Sequence, residues 1–312
     1  MRVSIIGQAA FGEAVFLRLR EGGHEVAVVS APAPAEGARP DALWRAATEA
    51  GVPAIDTASL KGEVALASWA AAGAELCVMA FVTEILPEEV FHAPPRGTIQ
   101  YHPSLLPLHR GSSAINWAII NGDEETGLTV FWPDEGIDTG PVLLQKRCPV
   151  GPEDTVGSLY FDRLFPMGVE AMAEAVGLVA DGKAPRVEQD HALGTYEPPC
   201  RDEHAEIRWH EPAARVHQLI RGTNPQPGAW AMHRSGRLRI YDCLRLPGQE
   251  PGMPGRVLRI DEEGFDVRLN GGVLRVLRVQ PEGGKKLGAG EWAQAAGLKP
   301  GYRFRQGRST AP

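Results

Sequence analysis

The residues Val3-Ser4-Ile5-Ile6-Gly7-Gln8-Ala9-Ala10-Phe11-Gly12 place a short apolar run directly before a turn that contains two glycines. Such a run is typical of a buried strand that ends in a tight turn and leads into a helix. The pattern repeats, with strands predicted at Glu25–Ser30, Leu76–Ala80, Thr98–Tyr101, Thr129–Trp132 and Val142–Gln145 and helices at Gly12–Arg20, Asp41–Ala50 and Ser113–Ile120. This alternation predicts an α/β fold, with a Rossmann-like, mostly parallel sheet and helices on both of its faces.

The first turn comes close to the G-x-G-x-x-G fingerprint of dinucleotide-binding folds without matching it. Ala9 stands where a second glycine would let the backbone approach a pyrophosphate, and the second predicted strand ends at Ser30 instead of an acidic residue. The sequence therefore predicts no NAD site. Gly7 and Gly12 are interpreted as residues required by the turn and by close helix packing.

The pattern changes after Lys183–Glu203, a stretch rich in proline and polar residues that is interpreted as a linker. Beyond it, short β runs are separated by turns, and Asn270-Gly271 is a strong hairpin signal between two of them. We expect an α/β domain over residues 1–183, a linker over 184–204, and a smaller C-terminal β-barrel domain, OB-like in its strand pattern, over 205–312.

The net charge conceals two opposite halves. The whole chain of 312 residues has a formal charge of −7, which by itself argues against a nucleic-acid partner. Residues 1–204, however, contain 14 Lys and Arg against 29 Asp and Glu, whereas residues 205–312 contain 18 against 10. Arginines recur on successive predicted strands of the basic half, at Arg237, Arg239, Arg256, Arg259, Arg275 and Arg278. Two interpretations stay open: a solvated surface, and a face that binds a polyanion such as tRNA.

Simpler patterns exclude several classes of protein and site. No run reaches the roughly 18 apolar residues of a membrane-spanning helix, and the first residues lack the pattern of a secretory signal. The four cysteines have no C-x-x-C spacing and the nine histidines have no ligand spacing, so we expect neither a disulfide framework nor a metal site. We therefore expect a cytoplasmic protein without a membrane partner.

Two segments carry residues suited to catalysis. His102 follows the strand predicted at Thr98–Tyr101, and the carboxyl end of a parallel strand is where ligands bind in such sheets. A lone histidine is more often structural. However, three carboxylates, Asp134, Glu135 and Asp138, lie on the loop that follows the strand predicted at Thr129–Trp132. A carboxylate on that loop could orient and charge the histidine, which is a useful device for acyl or formyl transfer through a tetrahedral oxyanion.

These segments resemble the signature of folate-dependent formyltransferases. The likeness rests on His102-Pro103-Ser104-Leu105-Leu106-Pro107, on Arg110-Gly111 and on Asp138-Thr139-Gly140. It extends over nearly the whole chain and is strongest towards the hydrolase domain of 10-formyltetrahydrofolate dehydrogenase. The segments similar to the C-terminal domain shared with methionyl-tRNA formyltransferase are Ile220-Arg221-Gly222 and Asn224-Pro225. The resemblance implies a formyltransferase catalytic domain over 1–183, a formyltransferase-type domain over 205–312, and 10-formyltetrahydrofolate as formyl donor, with no metal and no NAD.

The resemblance also implies roles for individual residues. His102 matches the family's catalytic histidine, and Asp138 matches its essential aspartate. Gln100 stands where much of the family has an asparagine that donates to the formyl oxygen, and it offers the same amide on a longer side chain. The residues implied in folate binding, through side chains or loop backbone, are Phe81, Ile85, Leu86, Ser104, Gly136 and Thr139. Plain core packing is the alternative for the three apolar ones, and a turn hydroxyl is the alternative for the serine.

The formyl acceptor stays open at this stage. The likeness to the hydrolase domain favours water or a small thiol or amine, and the loop Ala31–Arg39 lacks the basic cluster that tRNA-specific relatives carry there. No counterpart of the dehydrogenase's carrier and aldehyde-dehydrogenase domains is recognised, so we expect no oxidation of the formyl group on this chain alone. The alternatives are methionyl-tRNA formyltransferase, an amino-sugar N-formyltransferase and, outside the enzymes, a folate-binding sensor. Retention of both His102 and Asp138 argues against the sensor.

Overall fold

A computed structural model describes residues 1–248 and 251–304, and its contacts divide the chain into two compact units. Unit 1 comprises Met1–Ala114, Thr126–Cys148 and Phe161–Glu197, and unit 2 comprises Ile115–Glu125, Pro149–Tyr160 and the described residues of Pro198–Pro312. Each unit gathers segments that are separated in sequence. The contiguous domains predicted over residues 1–183 and 205–312 stay a prediction.

A mostly parallel sheet forms the centre of unit 1. Its strands are β1 (Arg2–Gly7), β2 (Glu25–Ala31), β3 (Ala54–Asp56), β4 (Leu76–Ala80), β5 (Thr98–His102), β6 (Glu125–Phe131) and β7 (Val142–Pro149). They lie in the order β3-β2-β1-β4-β5-β6-β7. Neighbouring strands from β3 to β5 pair in parallel, and β6 runs antiparallel to β5. The predicted α/β class is confirmed.

Helices follow most of these strands along the chain, although β7 comes directly after β6. They are α1 (Ala9–Glu21), α2 (Ala42–Glu49), α3 (Glu63–Ala71), α4 (Glu88–His92), α5 (Ala114–Asn121), α6 (Val156–Leu159) and α7 (Phe165–Ala180). The sequence analysis predicts no helix at α7, although Pro166 lies in its first turn, where proline is well tolerated. Gly168 is required there for packing, since a Cβ atom would lie 2.8 Å from the Tyr101 ring and 2.9 Å from the Phe11 ring. The centroids of those two rings lie 4.5 Å apart, with the ring planes tilted by 36°, in the main core of unit 1.

The turn after β1 is shaped by close packing. A Cβ atom on Gly7 would lie 2.3 Å from the carbonyl oxygen of Ala80, so glycine is needed for β1 and β4 to pair at this register. Helix α2 follows Asp41, whose Oδ1 accepts from the Leu43 amide at 2.9 Å as an N-cap. The other oxygen, Oδ2, accepts from the Ala9 amide at 2.7 Å. Asp41 therefore caps α2 and also holds the first residue of α1.

Unit 2 contains a separate antiparallel sheet. Its strands are β8 (Ala229–His233), β9 (Gly236–Leu246), β10 (Val257–Ile260), β11 (Phe265–Leu269), β12 (Gly272–Pro281) and β13 (Leu287–Gly288), accompanied by helices α8 (Ala213–Gly222) and α9 (Ala289–Ala295). The strand order is β10-β11-β12-β9-β8, with β13 paired to β12. The predicted turn at Asn270-Gly271 joins β11 to β12, and Gly271 has a positive φ of 76°. The antiparallel sheet is confirmed, whereas closure into an OB-like barrel stays a prediction.

Candidate active site

The candidate site lies at one edge of the sheet in unit 1. Because β1, β4 and β5 are neighbours and parallel, their carboxyl ends meet at the same edge. Gln8 follows β1, Phe81 follows β4, and His102 is the last residue of β5. This is the edge at which open α/β sheets bind ligands.

His102 is buried at this edge between two acceptors. Its Nε2–H donates to the carbonyl oxygen of His109 at 2.8 Å. Its Nδ1 lies 3.5 Å from Oδ2 of Asp138, which is also buried. A doubly protonated imidazole ring would therefore have an oxygen facing each N–H. The structure thus brings together the histidine and the aspartate that the sequence singled out on separate loops.

The loop after β6 presents only one of its three carboxylates to this histidine. Asp134 and Glu135 are exposed, whereas Asp138 is buried and its Oδ2 accepts from the amide of Gly111 at 2.8 Å. Asp138 adopts a positive φ of 55°, a conformation that residues other than glycine take infrequently, although asparagine and aspartate take it more often than most. The backbone is therefore held in a costly conformation at the residue whose carboxylate faces His102.

Gly136 and Thr139 shape that loop around Asp134. Oδ1 of Asp134 accepts from the Gly136 amide at 3.0 Å and from the Thr139 hydroxyl at 2.6 Å. A Cβ atom on Gly136 would lie 1.9 Å from that hydroxyl oxygen, so the closed loop needs glycine there. The Thr139 hydroxyl is thus engaged within the loop. A folate-binding role for either residue, implied by the resemblance, would act through the loop backbone.

Gln100 has an amide that is free for a ligand. It lies two residues before His102 on β5, so both side chains are on the same face of the sheet. The side chain is half-buried and makes no hydrogen bond to residues 1–248 or 251–304. Its position therefore suits the predicted role of donor to an oxygen bound above this face.

The structure separates the remaining predicted residues into exposed and buried ones. Phe81 and Ile85 are 45% and 87% exposed beside the edge, as residues that contact a ligand can be. Leu86 is buried in a cluster that includes Met79. Ser104 is fully buried and its hydroxyl donates to the carbonyl oxygen of Leu108 at 2.6 Å, so this hydroxyl serves the loop. Phe81 and Leu86, which the resemblance implies in folate binding together, therefore have different surroundings.

Strained backbone recurs around this edge. The non-glycine residues with positive φ in the described chain are Ala9, Phe81, His109 and Asp138. Ala9 begins α1 just after β1, and the other three lie in loops that follow strands of unit 1. Such conformations persist only where the surrounding contacts hold them, and they concentrate at functional sites.

A segment interpreted as a linker contributes residues that the sequence reasoning missed. Gln189, Thr195 and Glu197 all contact the loops that carry His102 and Asp138. The sequence pattern gives little indication that these residues belong to a site, because polar residues among prolines are typical of an exposed connection. Only the contacts across the fold identify them as part of this site.

A carboxylate occupies the N-terminus of α1, the place where a dinucleotide-binding fold holds its pyrophosphate. In dinucleotide-binding folds the pyrophosphate lies at the N-terminus of the first helix. Here the first amide of α1, on Ala9, is bound by the Asp41 carboxylate, whose negative charge would repel a pyrophosphate. Within residues 1–248 and 251–304, no cluster of three or more candidate ligands could hold a metal ion, and no helix is long and apolar enough to cross a membrane.

The arginines singled out on the basic half are largely paired within unit 2. Arg237 and Arg239 both contact Asp202, at 2.7 and 2.9 Å. Arg275 is buried and its Nη1 lies 3.1 Å from Asp266. Further pairs join Arg259 to Asp266 and Arg278 to Asp242. Five of the six arginines singled out therefore have a carboxylate partner in unit 2, although residues 205–312 keep an excess of Lys and Arg over Asp and Glu.

Comparisons with known proteins agree across both halves of the chain. The family model described as "Formyl transferase" matches residues 1–176, and the one described as "Formyl transferase, C-terminal domain" matches residues 200–297. The mitochondrial 10-formyltetrahydrofolate dehydrogenase of Homo sapiens is 41% identical over 308 residues, covering 94% of this chain and 33% of that protein. The chain thus spans about a third of the length of the dehydrogenases that it matches.

Two further matches extend along nearly the whole chain. The methionyl-tRNA formyltransferase of Moorella thermoacetica is 35% identical over 306 residues, covering 96% of this chain and 98% of that protein. The crystal structure of HypX from Aquifex aeolicus in complex with tetrahydrofolic acid has a TM-score of 0.69, covering 99% of this chain and 51% of that one. At 19% identity, the second match is a likeness of fold.

Proposed function

Because the chain belongs to the formyl transferase family, we propose that it removes the formyl group of 10-formyltetrahydrofolate and passes it to water or to a small thiol or amine. The observation that carries this proposal is the buried pair of His102 and Asp138 at the ligand-binding edge of the sheet. The donor is proposed from the names of the dehydrogenase relatives and from the tetrahydrofolate complex of HypX.

In the proposed reaction the nucleophile attacks the formyl carbon and gives a tetrahedral intermediate with a negative oxygen. The Gln100 amide donates to that oxygen, and protonated His102 supplies positive charge beside it. The carboxylate of Asp138 takes the proton of the nucleophile, and protonated His102 delivers its own proton to the departing N10 nitrogen. The proton on Asp138 then passes to His102 and restores both groups. The C–N bond then breaks, so water yields formate and tetrahydrofolate.

The charge pairing in unit 2 supports a small acceptor. Binding of tRNA depends on cations that neutralise phosphates. Arg237, Arg239 and Arg275, which the sequence suggested for this role, are engaged by carboxylates of the same unit. The loop Ala31–Arg39 adds a single basic residue, Arg39, close to the edge of the sheet.

Methionyl-tRNA formylation is the second candidate. It is favoured by one observation, the 35% identity to the Moorella thermoacetica enzyme over 98% of that protein. In that case the surface of unit 2 would still have to bind tRNA. Binding that weakens steeply with added salt would be its signature.

Labelled 10-formyltetrahydrofolate separates these candidates. The protein is incubated with donor that carries ¹⁴C in the formyl group, alone, with small thiols and amines, with an amino sugar nucleotide, and with charged initiator tRNA. We expect label in formate or in a small acceptor, and we expect His102→Ala to abolish it. Label found only on tRNA would replace this proposal by the second candidate. Tight folate binding without any transfer would favour a sensor.

A further inference from the structure

Residues 187–197, here called the active-site strap, bind both loops of the candidate site. At one end Val187 exchanges two backbone hydrogen bonds with Val142, of 2.8 and 2.9 Å. At the other end the Thr195 amide donates to the carbonyl oxygen of Pro107, and the Thr195 carbonyl accepts from the Arg110 amide, both at 3.1 Å. The strap therefore runs across the loop that carries Asp138 and the loop that follows His102.

Gln189 is the residue of the strap that joins the two loops. Its side chain is buried, and its Nε2 donates to the carbonyl oxygens of Asp138 at 2.9 Å and Gly140 at 2.7 Å. Its Oε1 accepts from Nη2 of Arg110 at 2.8 Å. Both hydrogens of the amide bond to the loop that carries Asp138, and the amide oxygen bonds to Arg110 on the loop that follows His102. No carboxylate or hydroxyl of the same size could make this set of contacts.

The contacts of Gln189 fall where the backbone is strained. Asp138, with its positive φ, has its carbonyl oxygen held by Gln189 and its carboxylate held by the Gly111 amide. Without the amide of Gln189, the peptide after Asp138 is free to rotate towards a relaxed conformation. The carboxylate would then leave its place 3.5 Å from Nδ1 of His102.

The C-terminal end of the strap contacts His109, whose carbonyl oxygen is the second acceptor that faces the His102 ring. His109 also has a positive φ, of 54°, and its carbonyl oxygen accepts from His102 Nε2. Two strap side chains hold it: the Thr195 hydroxyl accepts from the His109 amide at 2.8 Å, and Oε1 of Glu197 lies 3.0 Å from His109 Nδ1. Each acceptor that faces the His102 ring is thus held by the strap.

We propose that two side chains of the strap, Gln189 and Glu197, are positioning residues, Gln189 for Asp138 and Glu197 for His109. Gln189 acts by fixing the carboxylate at Nδ1 of His102, and Glu197 acts by fixing the carbonyl oxygen at Nε2. This inference rests on the proposed function, because it assigns the strap to the pair that performs the transfer.

Kinetics of four variants test the proposal. Gln189→Met keeps the size of the side chain without its donors, Gln189→Asn keeps the amide on a shorter stem, Glu197→Leu removes the partner of His109, and Glu188→Gln alters an exposed neighbour as the control. We expect Gln189→Met to lower kcat about 100-fold, the effect of a displacement of roughly 1 Å at a catalytic group, with KM for the folate little changed. The asparagine variant should recover part of the rate, and Glu188→Gln should match the parent.

A double-mutant cycle separates positioning from general support of the fold. If Gln189 acts through Asp138, Gln189→Met should cost about 100-fold in the parent and almost nothing in an Asp138→Asn background. Equal losses in both backgrounds would overturn the proposal, as would a parental kcat in Gln189→Met. Should the methionine variant fail to fold, Gln189→Asn provides the same cycle.

An assay without turnover keeps this test independent of the proposed reaction. The ¹⁵N resonances of the His102 ring report the contacts at Nδ1 and Nε2 directly. We expect the Nδ1 resonance to move in Gln189→Met and the Nε2 resonance in Glu197→Leu, with neither moving in Glu188→Gln. Unchanged resonances in both strap variants would overturn the inference even if formyl transfer is confirmed. Shifted resonances would support it even if the donor proves to be another formyl compound.

Discussion

Replacement of Asp138 by asparagine should remove the charge that faces His102 while leaving the loop intact. Asparagine tolerates a positive φ better than most residues, so the backbone at 138 gains no strain. The side-chain amide oxygen can still accept from the Gly111 amide, which donates to Asp138 Oδ2 at 2.8 Å in the parent. Asp138→Asn therefore isolates the electrostatic contribution of this carboxylate.

The size of the effect follows from the distance between the two charges. Nδ1 of His102 and Oδ2 of Asp138 are 3.5 Å apart, and both side chains are buried. At an effective dielectric constant of about 20, two unit charges at this distance attract by about 5 kcal/mol. If that attraction is available in the transition state, its loss corresponds to a rate at least a thousandfold lower, because each 1.4 kcal/mol is about a factor of ten, and this lies within the range of roughly 10²–10⁴ for a positioned acid–base group.

The measurement is single-turnover release of label from saturating ¹⁴C-formyl donor, accompanied by the folate Kd and the Tm. We expect a thousandfold slower release by Asp138→Asn with Kd and Tm close to those of the parent. Glu135→Gln removes an exposed carboxylate from the same loop and should release label at the parental rate. Retention of more than a tenth of the parental rate by Asp138→Asn, or an equal loss in Glu135→Gln, would refute the reasoning.

Three other changes test separate parts of the argument. Gln100→Ala should slow formyl release about 100-fold at unchanged folate Kd, as loss of one oxyanion donor does, and a parental rate would remove the amide from the mechanism. Gly7→Ala should lower the free energy of unfolding by about 1–3 kcal/mol in urea titrations, because the new Cβ would lie 2.3 Å from the Ala80 carbonyl oxygen. The Arg275 guanidinium, by hydrogen bonding, lowers the pKa of Asp261 to about 2 from its ordinary 3.8, so this carboxylate stabilises the fold above about pH 4 and loses that contribution as the pH falls towards 2. The difference in urea midpoint between the parent and Asp261→Asn should therefore shrink over that interval, and a difference independent of pH would contradict the assignment.

The strands were the most predictable part of the fold. Phe265–Leu269 and Leu76–Ala80 coincide with β11 and β4, because both are short runs with turn residues beside them. Helix α7 was not predicted, and within it Gly168 lets the helix approach Tyr101. A local pattern cannot distinguish a glycine that ends an element from one that allows close packing.

The sequence identified the two residues that the structure brings together in the candidate site, His102 and Asp138, but not the residues that hold their loops. His102 and Asp138 were identifiable because each lies in a distinctive motif at the end of a predicted strand. Gln189 was not, because it lies 51 residues from Asp138 in a stretch without periodicity. The side chain of Ser104, by contrast, lies within a recognisable motif and yet serves only its own loop.

The sequence by itself determined the α/β and antiparallel halves, the candidate residues for the proposed transfer and the excess of arginine in the second half. These properties depend on composition and on short-range pattern, which the chain carries locally. Only the tertiary structure decided which of three loop carboxylates faces His102, that Arg239 is neutralised by Asp202, and that an apparent linker holds the active-site loops. Burial and hydrogen bonds between distant residues decide those questions, because they depend on which groups the fold removes from water together.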